Sequence, residues 1–161
     1  MSHRRRNESG AAAVETALCL VFIVLPVVLA IVSYAYMFSF RQALSQSADE
    51  GARAAVGASM TGCPAVGTAQ TTFTSYSSAT CAAEYYASRA VANNLSQYGM
   101  ACGTNNLTCT MTLTSCNSGA NTCINVQVAY PYRSHSLLPT IPGFGFTLPP
   151  DLSFTSSVTV A

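Results

Sequence analysis

Glu15 is the residue in this chain most able to do chemistry, because of where it stands. It lies just inside an apolar stretch, and from Ala17 to Phe40 that stretch holds 24 residues and no charge. As a helix such a run is about 36 Å long, at about 1.5 Å per residue. That is enough to cross a hydrocarbon core of about 30 Å. A charge on a membrane segment costs on the order of 2.5–3.5 kcal/mol at the bilayer centre, and less near its edge. A carboxylate kept there needs a reason. Two features precede it: a small-residue junction, Ser9-Gly10-Ala11, and a basic leader, Arg4-Arg5-Arg6. Alone, Glu15 reads equally well as an edge carboxylate that reaches water. Together with the junction it reads as a functional residue.

Little else in the sequence suggests chemistry. There is no H-E-x-x-H, no G-x-S-x-G and no phosphate loop. His3 lies in the leader, His135 in a Pro- and Ser-rich stretch, and Glu84 and Asp151 are isolated. The reading is therefore not an enzyme, with no cofactor and no metal. Formal net charge is +1, which removes an electrostatic case for nucleic acid. Seven cysteines are present. Cys19 falls in the apolar run, where a thiol is inert. The other six, Cys63, Cys81, Cys102, Cys109, Cys116 and Cys123, follow it. An even number in a small extracytoplasmic domain reads as disulfides. Zinc needs close C-x(2–4)-C pairs, and the last four cysteines are seven apart. Six cysteines allow 15 pairings, and spacing does not choose among them.

These residues must be positioned by few elements. Charged residues are only 8% and apolar ones 50%, so the chain is not a disordered tail. Its 161 residues allow one small domain beside the apolar segment. The three leader arginines set the topology: positive charge stays cytoplasmic, so the N-terminus is inside and everything after Phe40 outside. Ala11 to about Val56 reads as one long helix, with Pro26 predicting a kink near Phe22. After Arg41 it turns amphipathic. Leu44, Ala48, Ala52 and Ala55 recur at helical spacing between polar residues, Glu50 can pair with Arg53, and Gly57 is the stop. Ser59–Thr80 reads as loop. Cys81–Tyr98 reads as a further helix with Ala87, Val91, Leu95 and Tyr98 on one face. The period then falls to two. Leu107, Cys109, Met111 and Leu113 form one strand, and Ile124, Val126, Val128 and Tyr130 the next, around a turn at Asn117-Ser118-Gly119. Cys116 and Cys123 share the parity of the polar faces, so a bridge between them could clamp the hairpin. The Pro-rich stretch Pro131–Pro150 breaks the pattern, and Leu152 to Val160 suggests a last strand. The tyrosines, Tyr85, Tyr86, Tyr130 and Tyr132 among them, read as core and strand residues. The expected class is α+β: a long N-terminal transmembrane helix with an amphipathic extension, then a small antiparallel-sheet ectodomain with one more helix. The expected division is 1–10 leader, 11–57 helix and 58–161 disulfide-rich domain.

The leader ending in Gly10, with Glu15 fifth after the junction, resembles the prepilin signal of type IV pilin-like proteins. With the G-A-A-A-V-E start, Leu25-Pro26 and A-D-E-G-A-R-A-A (Ala48–Ala55), residues 4–56 resemble the TadE-like pseudopilins of the tight-adherence (Tad, Flp-type) pilus. Thr16 departs from the pattern, since many relatives carry an aromatic there. The resemblance implies a pilin-like fold. It also implies cleavage between Gly10 and Ala11 by prepilin peptidase, whose site needs a residue without a side chain. Glu15 would neutralise the new N-terminal amine of a neighbouring subunit. The implied partners are that peptidase, other Tad pilins and pseudopilins, inner-membrane platform proteins and the bilayer. The implied place is the bacterial inner membrane, or a surface pilus serving adherence and biofilm growth. Two other readings remain: a secreted disulfide-rich adhesin or binding domain released by signal peptidase after Ala35, and a plain bitopic membrane protein.

Overall fold

In a computed structural model the described residues are 9–63, 65–67, 71–73, 81–116, 121–137 and 149–160. The leader arginines Arg4, Arg5 and Arg6, the Asn117-Ser118-Gly119 turn and most of the Pro-rich stretch lie outside them. The chain divides into two compact units, Met1–Phe38 and Ser39–Ala161.

The first unit is helical throughout its described part. Helix α1 spans Ser9–Cys19, a π-helical turn spans Leu20–Val24, and α2 begins at Leu25 and runs to Val56. The helix thus starts two residues earlier than Ala11, inside the leader, a shift of the size expected at a helix end. The π turn has a cause in the sequence. Pro26 has no N–H to give the carbonyl of Phe22. The N–H of Leu25 instead reaches back five residues to the carbonyl of Leu20. Where Pro26 predicts a kink, a widened turn takes up the missing donor. The apolar side chains are bare: Val14, Leu18, Phe22, Ile23, Val28 and Ile31 are all exposed. No part of the most apolar 18-residue window within Gly10–Val56 is buried. An α-helix satisfies its own backbone in lipid, and this one is long and apolar enough to be a candidate membrane span.

The second unit is an α+β domain, as the sequence predicts. Its sheet has four antiparallel strands in the order β1-β2-β3-β4: Thr71–Phe73, Thr108–Cys116, Asn121–Tyr130 and Leu152–Val160. Strand β1 corrects the reading of Ser59–Thr80 as loop throughout. It is only three residues long, and its pairing with β2 (Thr71 opposite Met111, Phe73 opposite Cys109) defines it. Helix α3 spans Ala82–Asn94 and a 3-10 turn spans Ser96–Tyr98, so the predicted helix to Tyr98 breaks at Leu95. Gly99 ends the turn at φ 66°, a left-handed conformation open to glycine at no steric cost.

One face of the sheet forms the core. Cys109, Met111 and Leu113 lie opposite Val128, Val126 and Ile124, and all six are buried. The other face is a polar ladder, with Thr110 donating to Gln127 Oε1 at 3.3 Å and Asn125 Nδ2 to Thr114 Oγ1 at 2.8 Å. The later part of α2 covers the core with Phe40, Leu44, Ser47, Ala48, Ala52 and Ala55, all buried. A fully buried Phe or Leu stabilises by about 1.5–3 kcal/mol. Phe40 is the largest of these and sits in an aromatic cluster. Its ring centroid is 5.1 Å from Tyr98, 5.2 Å from Tyr130 and 6.2 Å from Tyr132. Tyr85 and Tyr86 do not join any core. They stand 36% and 49% exposed on α3, edge to face with each other. The helix turns its Ala83, Ala87 and Val91 side inward instead.

Three disulfides staple the domain: Cys63–Cys81, Cys102–Cys109 and Cys116–Cys123. Cys63–Cys81 joins the segment after α2 to the start of α3. Cys102–Cys109 ties the turn after Gly99 to β2. Cys116–Cys123 links β2 to β3, as the shared parity of the two cysteines suggests.

Candidate processing and assembly site

Gly10 and Ala11 lie in the first turn of α1, and Glu15 one turn later. Residues four apart share a helix face, so Glu15 lies on the same side as Ala11, about 6 Å along the axis. All three residues are exposed. A Cβ added at Gly10 would meet nothing within 4 Å. Among the described residues nothing packs against Gly10 closely enough to require glycine there.

Two hydroxyls of this helix are hydrogen-bonded to its own backbone. Thr16 donates its hydroxyl to the carbonyl of Ala12 at 2.9 Å, and Ser33 to that of Leu29 at 2.8 Å. Each polar group is satisfied within its own helix and needs no water. Glu15 is the one residue between Gly10 and Phe40 with a charged side chain. Cys19, also exposed, is a free thiol.

The second unit begins with a different set of polar groups. The Arg41 guanidinium lies 5.6 Å from the Phe154 ring centroid. The two residues border an open cleft of about 190 Å³, completed by Pro149, Asp151, Leu152 and Ser153. Asp151, isolated in sequence, thus shares a cleft with a cation. Nothing in the sequence joins residues 41 and 151; the folded domain places both at one cleft. Further along α2, Glu50 and Arg53 form an exposed ion pair at 3.9 Å, a contact of at most a few tenths of a kcal/mol. Glu84, in the first turn of α3, is buried, which its isolation in sequence did not suggest. His135 is an exposed residue whose carbonyl accepts the Tyr130 hydroxyl at 2.6 Å. Burial pushes the Tyr130 phenol above its ordinary pKa.

Among the described residues no group of three or more His, Cys, Asp or Glu could hold a metal ion. No curated protein and no solved structure matches the chain. Residues 10–53, which carry Gly10, Ala11, Glu15 and Pro26, match the family model of TadE-like protein.

Proposed function

We propose that this chain is a minor pseudopilin that helps assemble a Tad (Flp-type) pilus. It is inserted in the bacterial inner membrane with its N-terminus cytoplasmic, and prepilin peptidase cuts it between Gly10 and Ala11. Its role is structural, and the peptidase is the enzyme that acts on it. The observation that carries the reading is the family match over residues 10–53, which spans the junction and Glu15 together.

The geometry supports the same reading. A peptidase must pull its substrate backbone out of the helix. Gly10–Ala11 is in the terminal turn of α1, and ends of helices open at little free-energy cost. Ala35–Tyr36, where signal peptidase would cut, lies deep inside α2, where opening breaks bonds on both sides. Cleavage leaves a new amine at Ala11 in a segment that otherwise holds one charge, Glu15. Two lone charges in hydrocarbon are costly, and a pair is much less so. Pairing Glu15 of one copy with the amine of a neighbour gives a force that draws an inserted subunit into a growing assembly. Assembly in turn supports adherence and biofilm growth. The partners on this reading are the peptidase, other Tad pilins and pseudopilins, and the inner-membrane platform.

A Glu15→Ala variant tests the mechanism. Removing a charge eases insertion, so the variant should reach the membrane at least as well as the parent. Pilus assembly should nevertheless fall sharply. Undiminished piliation in this variant would end the proposed role of Glu15.

A further inference from the structure

We propose that the cleft between Arg41 and Asp151 binds the headgroup of a phospholipid with a primary ammonium, phosphatidylethanolamine. The phosphate sits on Arg41 and the ammonium on Asp151. This rests on the reading of the apolar helix as a membrane span.

The first support is position along the chain. Arg41 is the first charge after the 24-residue uncharged run. Near its end the run holds Tyr34 and Tyr36, the residue type that gathers at the headgroup level of a bilayer. Chain continuity alone therefore places Arg41 within reach of lipid phosphates. The second support is the shape of the site. Arg41 does not trail in solvent: it lies over Phe154, and a cleft of about 190 Å³ opens beside it. A guanidinium beside a ring face presents planar donors suited to a phosphate. The third support is charge. The cleft offers one cation and one carboxylate, which matches a zwitterion better than an anion. Both side chains are exposed and open to a ligand. The Asp151 end is held by the backbone, since the N–H of Arg133 donates to the carbonyl of Pro150 at 3.2 Å, and by the adjoining start of β4. An ammonium with three N–H donors satisfies a carboxylate that the quaternary nitrogen of phosphatidylcholine cannot hydrogen-bond.

The chain contains no Trp, so Phe154→Trp creates a single fluorescent reporter beside the cleft and keeps an aromatic face under Arg41. The full chain carrying this substitution is reconstituted into phosphatidylcholine vesicles. Each contains a small fraction of phosphatidylethanolamine, phosphatidylcholine or phosphatidylglycerol with a nitroxide at carbon 5 of the acyl chain. A separate Val28→Trp chain reports insertion through a nitroxide deep in the acyl chain. The expected result is preferential quenching by phosphatidylethanolamine, an enrichment of about fivefold, the effect of one surface charge contact. Asp151→Asn should abolish the preference over phosphatidylcholine, and Arg41→Gln should abolish enrichment of either lipid. Arg41→Lys should restore part of it, and thermal unfolding should show all variants folded. Equal quenching by all three lipids would overturn the site. Strongest quenching by phosphatidylglycerol would make it an anion contact of Arg41 alone and overturn the assigned ligand. Quenching in the Val28→Trp chain but none in the Phe154→Trp chain would also overturn it, by showing an inserted protein whose cleft stands clear of the headgroups. Silence in the Val28→Trp chain as well would overturn the membrane span itself.

Discussion

At Gly51 α2 lies close against α3 and β3, and replacing it sets two opposite effects against each other. A glycine inside a helix costs about 1 kcal/mol relative to alanine, so Gly51→Ala judged by propensity alone should stabilise. Packing says otherwise. An added Cβ would lie 3.2 Å from Val91 Cγ2 on α3, 3.3 Å from Val126 Cγ1 on β3 and 3.6 Å from the carbonyl of Ala87. Val91 and Val126 are both fully buried, and β-branched side chains have little freedom to turn away. Overpacking of this kind costs about 1–3 kcal/mol. The two terms leave a net loss of about 1 kcal/mol, or roughly 4 °C in Tm for a domain of this size. Denaturant unfolding of the oxidised full chain in detergent, followed by near-UV circular dichroism, measures it. Val91→Ala removes the nearest methyl, so Gly51→Ala in that background should be nearly neutral. The cycle should then show a coupling of about 1 kcal/mol. If Gly51→Ala alone raises stability by the full propensity gain, the close approach of the three elements is wrong.

Two further predictions follow from the domain. Cys63–Cys81 closes a chain separation of 18 residues, so replacing both cysteines with Ser should cost about 3 kcal/mol on loop entropy. Denaturant midpoints would measure this, and non-reducing peptide mapping should recover that pair and the two separated by seven. The Tyr130 phenol, raised above its usual value of 10.0 by burial, gives the domain an alkaline limit. The unfolded chain releases this proton first. The contribution is thus intact below the unfolded value and is lost as pH rises from there through the folded one. Tyr130→Phe should flatten the fall in stability above about pH 10, and an unchanged profile would show that Tyr130 does not set it.

Much of this fold was legible because its periods are clean. The apolar run, the alternation in Leu107–Leu113 and Ile124–Tyr130, and the strand at Leu152–Val160 each follow one period, so pattern and structure agree. What stayed hidden depended on contact rather than period. Thr71–Phe73 is too short and too rich in Thr to stand out, and it is a strand only because β2 pairs with it. Ser47 and Gly51 look polar or neutral in a helix, yet both are buried, and at Gly51 the missing side chain lets α2 approach α3 and β3. Tyr85 and Tyr86 look like core by residue type, but the helix period turns them out. Of the candidate site, the placement of Gly10 and Glu15 on one helix follows from their spacing within one apolar segment. The Arg41–Asp151 cleft could not, because its two sides are 110 positions apart and only the folded domain brings them to one cleft.

The central claim is that the chain is cut between Gly10 and Ala11 to make an assembling subunit. It is tested most directly by the N-terminal mass of the membrane-extracted protein from cells with and without prepilin peptidase. The account predicts a start at Ala11 that requires the peptidase. A start at Tyr36, or an uncut N-terminus in both strains, would contradict it.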